Sequence, residues 1–160
     1  MTELALRVEP VAAPVLYELR RRVLRSNDPA SIVADARDDD PGARHFAGFV
    51  GDRIVACASF YPANGPVDPG LVAYQLRFMA VDFDVQGCGY GTAVMATAEA
   101  ELRELGAEAV WANARDTALG FYLATGWTAV AGLEHVSAET HLPHSVVVRR
   151  LTESPGAAPG

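Results

Sequence analysis

The sequence predicts one α/β domain built on a mixed sheet of about seven strands, with helices on both faces. Early in the chain, two β-favouring runs, 45–50 and 54–61, are separated only by Gly51-Asp52-Arg53, a tight hairpin signal. Later, strand-like apolar runs alternate with segments of helical periodicity, which is the order found in β-α-β units. A chain of 160 residues has room for one such domain with one core.

The first half of the chain predicts one weak strand, two helices and the hairpin. Residues 4–8 alternate weakly and predict the first strand. Residues 14–26 predict a helix that ends at 27–29, and a second, shorter helix is expected around 29–37. The acidic run at 38–42 predicts a solvated loop rather than a metal site, because its acids lack the spacing of a calcium-binding loop.

The second half predicts a loop at 62–70, a long central strand at 72–81, and then alternating helices and strands. After the central strand, apolar residues recur at helical spacing as far as Gly106, which marks a helix end. The remaining expected elements are a strand at 109–112, a helix at 117–125 and strands at 127–136 and 145–151. Residues 152–160 predict a frayed, disordered tail, so the folded domain is expected to cover 1–151.

Composition and charge argue against several classes of function. The formal net charge is -7, and phosphate backbones are held by clustered Lys and Arg, so no nucleic-acid partner is expected. The arginines at 20, 21, 22 and 25 are expected to lie mostly on a solvated helix face, in preference to forming an anion site. Cys57 and Cys88 make neither a disulfide framework nor a metal site, and no metal is expected. The chain shows no signal peptide and no apolar run that could span a bilayer, so we expect a cytoplasmic protein.

The most informative local feature is a turn in which Gly87, Gly89 and Gly91 stand at alternate positions between a strand and a helix. Without Cβ atoms, such a backbone takes up positive φ and approaches a ligand closely. The first turn of the following helix adds unpaired N–H groups and the positive end of the helix dipole. The turn therefore predicts a binding site for a phosphate or a pyrophosphate.

The spacing of the glycines separates three classes of phosphate-binding turn. A Walker loop requires a Lys after its last glycine, and no Lys follows here. A dinucleotide fingerprint requires Gly-x-Gly-x-x-Gly, and its last position is not glycine in either frame. The arrangement that fits is Gln86-x-x-Gly89-x-Gly91.

A second motif follows downstream as Ala118-x-x-Phe121-Tyr122-x-x-x-Gly126-Trp127. In this order the two motifs resemble the acetyl-CoA site of the GNAT family of N-acetyltransferases. That site carries an Arg/Gln-x-x-Gly-x-Gly/Ala loop and a Phe-Tyr-x-x-x-Gly-Phe helix. The resemblance covers 4–151, because the order and length of the elements also agree, and it implies the GNAT acyl-CoA N-acyltransferase fold.

The resemblance implies that CoA is bound largely through backbone groups. Met79, Ala80 and Val81 lie where the family strand splays from its neighbour, so their backbone would bond the pantetheine arm and the thioester carbonyl. A donor there would also stabilise the oxyanion that develops during attack. The side chains of these three residues are also compatible with a purely structural role in the core of the sheet. The residues implied to bind the pyrophosphate are Gln86, Gly87, Cys88, Gly89, Tyr90, Gly91 and Thr92.

The resemblance also implies one catalytic side chain. A tyrosine at the position of Tyr122 protonates the departing thiolate in many relatives, whereas Phe121 is expected to be core. The plainer alternative makes both of them helix-core aromatics. At Arg115 the chain departs from the family, because many relatives have an Asn there that contacts the pantetheine. Arg115 is expected either to reach CoA or to pair with Asp116 or another nearby acid.

The sequence does not single out a general base. The amine arrives mostly protonated, so a carboxylate, a His or a water chain must take its proton. Candidates in the last two strands or their connection are Glu134, His135, His141 and His144. We select His144 as the candidate base. Arg77 on the central strand is a further candidate, as a group that orients a carboxylate of the acceptor.

The expected activity is the transfer of an acetyl group from acetyl-CoA to a primary amine by direct attack, without a metal. The amine belongs to a small molecule or a peptide, and the chain's acidity favours cationic acceptors such as polyamines, aminoglycosides or lysine side chains. The alternative is a non-catalytic acyl-CoA-binding or sensing protein that kept the loop and lost the acceptor chemistry. A nucleotide-binding regulator is a third hypothesis. The acceptor stays open, as does homodimerisation, which is common among relatives.

Overall fold

The computed structural model describes residues 5–152 and contains a mixed sheet of eight strands, which confirms the predicted fold class. The strands are β1 (Leu6–Pro10), β2 (Arg44–Val50), β3 (Arg53–Pro62), β4 (Ala73–Val81), β5 (Ala109–Arg115), β6 (Thr128–Ala129), β7 (His135–Val136) and β8 (Pro143–Arg150). The helices are α1 (Tyr17–Leu19), α2 (Tyr90–Glu104) and α3 (Asp116–Ala124). A 3-10 turn (Ala13–Leu16) precedes α1 and a π-helical turn (Arg20–Leu24) follows it, so the predicted first helix is present in three segments.

The hydrogen-bonded order of the strands is β1-β2-β3-β4-β5-β8-β6, with β7 also paired to β8. The β4–β5 ladder is parallel and runs from Ala73–Ala109 to Leu76–Ala112. The β1–β2, β2–β3 and β5–β8 ladders are antiparallel, as are the short ladders of β6 and β7 with β8. The described chain divides into two compact units, one made of residues up to Tyr61 with Arg77–Glu101, and one made of Pro62–Leu76 with residues from Leu102 onwards.

In the first unit, the predicted hairpin forms β2 and β3, with Val50 paired to Arg53 across the turn. Its core packs the first helical segment against the sheet through Leu16, Leu19, Ala47, Cys57 and Ala80. Cys57 is completely buried, as expected for a small apolar side chain, and burial raises the pKa of its thiol to about 12.

Three expectations for 20–42 are wrong. Residues 29–37 form turns, a bend and irregular chain instead of a second helix. Arg20 is fully buried rather than part of a solvated face. Asp38, expected in a solvated loop, is buried and accepts hydrogen bonds from Arg20 Nη1 at 2.9 Å, from the Tyr17 hydroxyl at 3.0 Å and from the Tyr61 hydroxyl. A charged side chain is stable in the interior only when it is paired and hydrogen-bonded, and Asp38 supplies the opposite charge for Arg20. The Nε of Arg20 is buried without a hydrogen-bond partner.

In the second unit, β5 is longer than predicted because its ladder with β8 continues to the Arg115–His144 pair. The predicted strand at 127–136 is present only as β6 and β7. Between them the chain turns at Ala131 and Gly132, and pairing with β8 resumes at His135. Of the predicted tail, Thr152 is exposed and 153–160 lie outside the described residues. Among residues 5–152, helices long and apolar enough for a membrane span are absent.

Candidate active site

The glycine turn of the first unit joins β4 to α2 and has the backbone that the sequence predicted. Gly87 has φ +84° and Gly89 has φ +83°, values in the left-handed region that favours glycine. A Cβ atom on either residue would meet nothing within 4 Å, so the outer side of the turn is open. The first helical hydrogen bond runs from the Ala93 N–H to the Gly89 carbonyl, at 3.1 Å. The N–H groups of Tyr90, Gly91 and Thr92 therefore lack a helical acceptor and suit an anion, whereas the Cys88 N–H donates to the Val85 carbonyl at 3.4 Å.

Asp82 fixes the turn in place. It follows β4 directly, and its carboxylate accepts from the Phe83 N–H at 2.9 Å, which caps a short 3-10 turn (Phe83–Val85). The same carboxylate accepts from Arg53 Nη2 at 3.0 Å and from Arg22 Nη1. Burial alone would raise the pKa of Asp82, but the hydrogen bonds from Arg22 and Arg53 hold it below its usual value. Sequence reasoning missed this role, although an Asp at the end of a strand is a recognisable capping residue.

The backbone N–H and C=O groups at the end of β4, next to the glycine turn, point in two directions. Cys57 Sγ donates to the Phe78 carbonyl at 3.2 Å, and the Ala80 N–H bonds the same sulfur. The peptides on either side of Met79 are trans, so the Met79 N–H and C=O point away from Cys57. The Val81 carbonyl accepts from Gln86 Nε2 at 3.1 Å. Met79 is thus a predicted β4 residue whose backbone N–H and C=O both point away from Cys57. The Val81 carbonyl also points away from β3, because the Asp82 N–H of the same peptide donates to the Val55 carbonyl at 2.8 Å.

Tyr122 lies in α3 of the second unit and is buried, with 6% of its surface exposed. Its ring packs edge-on against Phe121 and Trp127, with centroids 5.5 and 5.1 Å apart. Burial raises the pKa of its phenol well above the usual value. Within residues 5–152 the hydroxyl forms no hydrogen bond, so it is available to a ligand. Phe121, expected to be core, is only half-buried.

Arg115 and His144 face each other as a cross-strand pair of β5 and β8. Arg115 is half-buried at the N-cap of α3, and this burial lowers its pKa. His144 is buried, and its Nδ1 lies 2.8 Å from the Leu142 carbonyl oxygen. Nδ1–H is therefore the donor, which leaves the Nε2 lone pair of the neutral ring to accept a proton. The His135 ring stacks on that of His144, with centroids 5.8 Å apart.

The other candidate bases are exposed at the surface. Glu134 accepts from the Gly132 N–H at 3.0 Å, and His141 lies at a turn with φ +57°. His135 is exposed and its Nδ1 lies 3.0 Å from the Leu133 carbonyl oxygen. His144 is thus the buried member of the four candidates. The described part of the chain holds no group of three or more His, Cys, Asp or Glu side chains that could bind a metal ion.

Comparison with known proteins points to one family. The model of the acetyltransferase (GNAT) family matches residues 13–127. The uncharacterized N-acetyltransferase YitI of Bacillus subtilis (strain 168) is 32% identical over 122 residues, which cover 76% of this chain and 82% of YitI.

Two solved structures share the fold at low sequence identity. Ard1 from Thermoplasma volcanium superposes with a TM-score of 0.71 at 18% identity, covering 94% of this chain and 100% of that one. An aminoglycoside 6'-N-acetyltransferase complexed with coenzyme A superposes with a TM-score of 0.69 at 14% identity, covering 93% of this chain and 99% of that one.

Proposed function

The chain belongs to the acetyltransferase (GNAT) family, and from this premise we propose that it transfers the acetyl group of acetyl-CoA to a primary amine. Family membership confirms the resemblance predicted from the glycine turn and the Phe121-Tyr122 motif. The observation that carries the proposal is the glycine turn, with Gly87 and Gly89 in the left-handed region, open space outside them and a helix start behind them. Such a turn suits the pyrophosphate of CoA.

Two backbone segments and one side chain would hold acetyl-CoA. The backbone N–H groups of 86–92 would bind the pyrophosphate, and Asp82 keeps their turn in position. The Met79 N–H and C=O would bind the pantetheine arm or the thioester carbonyl, because they point away from β3. Arg115 is a further candidate contact through its guanidinium donors. The structure of a relative complexed with coenzyme A supports this choice of ligand.

Acetyl-CoA supplies the thioester that activates the acetyl group, and the chain's own residues move the protons. Tyr122 would protonate the departing thiolate, and its raised pKa keeps the phenol protonated at neutral pH so that it has a proton to give. His144 would take the proton of the attacking amine at Nε2, since Nδ1–H is held by the Leu142 carbonyl. The attack is direct, without a covalent enzyme intermediate.

The experiment measures release of the CoA thiol from acetyl-CoA in the presence of a panel of amines, together with CoA binding by calorimetry. We expect release that depends on the amine. Tyr122→Phe should lower kcat by about 100-fold without changing CoA affinity, because general acid catalysis contributes effects of this order. His144→Gln should lower kcat by a similar factor without changing CoA affinity.

Matched controls exist for both variants. Tyr74 is another buried tyrosine, so Tyr74→Phe tests whether loss of a buried hydroxyl alone affects turnover. His141 is exposed, so His141→Gln tests whether loss of any histidine of this segment affects turnover. Tight CoA binding without turnover on any amine would instead support the non-catalytic acyl-CoA-binding alternative, which the absence of the family Asn at position 115 leaves open.

A further inference from the structure

The backbone of Phe78, directly before Met79 in β4, has an unusual conformation. Its φ is +57°, in the left-handed region that costs free energy for a residue with a Cβ atom. A left-handed residue interrupts the regular alternation of backbone directions along a strand, as a β-bulge does. Such strain persists only where the surrounding structure holds it, and it concentrates at functional sites. The contacts that hold Phe78 are therefore informative.

Guanidinium groups lie over the ring of Phe78. The residue is buried, with 8% of its surface exposed, and the guanidinium carbons of Arg20, Arg77 and Arg25 lie 3.9, 4.5 and 6.0 Å from the ring centre. An aromatic face attracts a cation, most strongly where water is excluded. Arg20, the nearest of the three, is fully buried. Arg77, a candidate from the sequence for orienting the acceptor, also donates to Asp35 at 2.8 Å.

Arg20 is itself held in place within the first unit. Its Nη1 donates to the Val33 carbonyl at 2.8 Å and to the Asp38 carboxylate at 2.9 Å. Its Nη2 donates to the Ser59 hydroxyl at 2.7 Å. Three hydrogen-bond partners leave a planar guanidinium group little freedom to move. The Phe78 ring therefore packs on a flat group whose position is fixed by the core of the first unit.

The backbone after Phe78 has a second point of attachment, the thiol of Cys57. Its sulfur donates to the Phe78 carbonyl at 3.2 Å and bonds the Ala80 N–H. Cys57 is completely buried and packs in the core of the first unit. One sulfur atom thus bonds both peptides that flank Met79. Because these peptides are trans, the Met79 N–H and C=O face the opposite side.

We propose that Phe78 is a positioning residue for acetyl transfer, because its ring contact with Arg20 maintains the backbone conformation that directs the Met79 N–H to the thioester carbonyl. The Cys57 thiol maintains the same conformation from the carbonyl side. This inference rests on the proposed function, in which Met79 binds the thioester. A donor that is fixed before the reaction stabilises the oxyanion without reorganisation in the transition state. Loss of the ring contact would therefore lower kcat more than it weakens CoA binding.

The distinguishing experiment compares alanine with glycine at position 78. Both substitutions remove the ring, but glycine adopts positive φ without strain, whereas alanine does not. Phe78→Ala should lower kcat for thiol release by about tenfold to a hundredfold, the range expected for a displaced oxyanion donor. The Kd for CoA should change by less than about threefold, because the proposed pyrophosphate contacts lie in the glycine turn. Phe78→Gly should be about fivefold or more faster than Phe78→Ala.

Phe60 in β3 is the matched control. It is fully buried and its ring packs on that of Phe46, with centroids 5.8 Å apart, but its φ is not positive. Phe60→Gly should be no more active than Phe60→Ala, since glycine only adds freedom to a regular strand. If Phe78 served the core alone, position 78 would give this same order. A glycine variant that is faster than the alanine variant is therefore specific to a positioning role.

Two milder substitutions keep the core filled. Phe78→Leu retains much of the apolar volume but has no aromatic face, and it should lower kcat by about tenfold. Arg20→Lys keeps a charge beside Asp38 but lacks the planar group that packs on the ring, so it should lower kcat in the same way. Urea unfolding checks that each variant is folded in the assay. If the alanine and glycine variants do not fold, these two variants decide.

Two results would overturn the inference while leaving the acetyltransferase in place. Folded Phe78→Leu and Arg20→Lys variants with the kcat of the parent would show that the ring contact does not position Met79. A folded Phe78→Gly variant no faster than Phe78→Ala would assign the ring to core packing alone. Absence of thiol release by the parent with every amine, or absence of CoA binding, would instead contradict the proposed function and the inference with it.

Discussion

The side chain of Arg53, at the start of β3, donates to the carboxylate of Asp82 at 3.0 Å and so ties the hairpin of the first unit to the end of β4. Arg22, in the π-helical turn Arg20–Leu24 and 60 residues earlier in the chain, donates to the other oxygen of the same carboxylate. Asp82 in turn caps the short turn that leads into the glycines. The position of the glycine turn therefore depends on a buried, shared carboxylate as well as on the glycines.

Replacement of Asp82 by Asn should weaken CoA binding although it changes no residue of the glycine turn, 86–92. The amide cannot accept two charged hydrogen bonds, so we expect a loss of about 2 kcal/mol in the free energy of unfolding and a severalfold higher Kd for CoA. Urea unfolding and calorimetry measure the two effects. Asp84 is the matched control, because it also bonds Arg53 but is exposed. An Asp84→Asn variant with the same loss of CoA affinity would contradict a specific role for Asp82.

The backbone strain caused by a side chain at Gly89 can be separated from its effect on CoA binding by comparison with Gly106, which has a similar conformation. Gly89 and Gly106 have φ +83° and +88°, and a Cβ atom on either would meet nothing within 4 Å. Alanine should therefore destabilise both variants by a similar amount, about 1–2 kcal/mol, through backbone strain alone. Only Gly89→Ala should weaken CoA binding, since Gly106 lies at the other end of α2. Equal CoA affinity in the two variants would argue that the turn does not bind CoA.

Asp35 should make stability depend on acid pH. The pKa of Asp35 in the folded state lies below the unfolded value of about 4, so the folded state binds fewer protons than the unfolded state. The resulting contribution of Asp35 to stability is present above that unfolded value. This contribution to stability is lost as pH falls from about 5 towards the pKa of Asp35 in the folded state. The melting temperature should therefore fall more steeply between about pH 6 and about pH 3 in the parent than in Asp35→Asn. Asp39→Asn, at an exposed site, should follow the parent, and parallel curves for all three would contradict the prediction.

Removal of the Asp38 carboxylate should be among the most destabilising single changes in the first unit. Asp38→Ala leaves the fully buried Arg20 without its ion partner and removes an acceptor from Tyr17 and Tyr61. Breaking a buried pair in this way costs about 3–5 kcal/mol. The exposed Asp39→Ala should change the free energy of unfolding by less than about 0.5 kcal/mol. Denaturant unfolding that gave similar values for the two variants would show that Arg20 finds other compensation.

Local patterns in the sequence were sufficient for the hairpin, the glycine turn, α2 and α3. These elements depend on turn residues, capping and periodicity, which act between neighbours in the chain. Residues 29–37 were predicted as a second, shorter helix. In the structure the Asp38 carboxylate accepts from the Asp35 N–H at 3.0 Å, which fixes a turn there instead.

The parts that sequence reasoning missed depend on contacts between distant residues. The arginines at 20–25 look like a solvated face, but Arg20 binds Asp38, 18 residues away, and Ser59, 39 residues away. No local rule distinguishes a buried paired arginine from an exposed one. The selection of His144 over the other candidate bases gains support only from its burial and its Nδ1 hydrogen bond to the Leu142 carbonyl. The β7–β8 pairing places His135 opposite His144.

Transfer of labelled acetyl groups from acetyl-CoA to amine nitrogen tests the central claim most directly. The sequence contains no lysine, so label cannot accumulate on lysine side chains of the protein itself. Mass spectrometry should detect an N-acetylated acceptor in amounts equal to the CoA thiol released, with formation slowed about 100-fold in Tyr122→Phe. Thiol release without any N-acetylated product, or labelled product formed equally fast by Tyr122→Phe, would contradict the account.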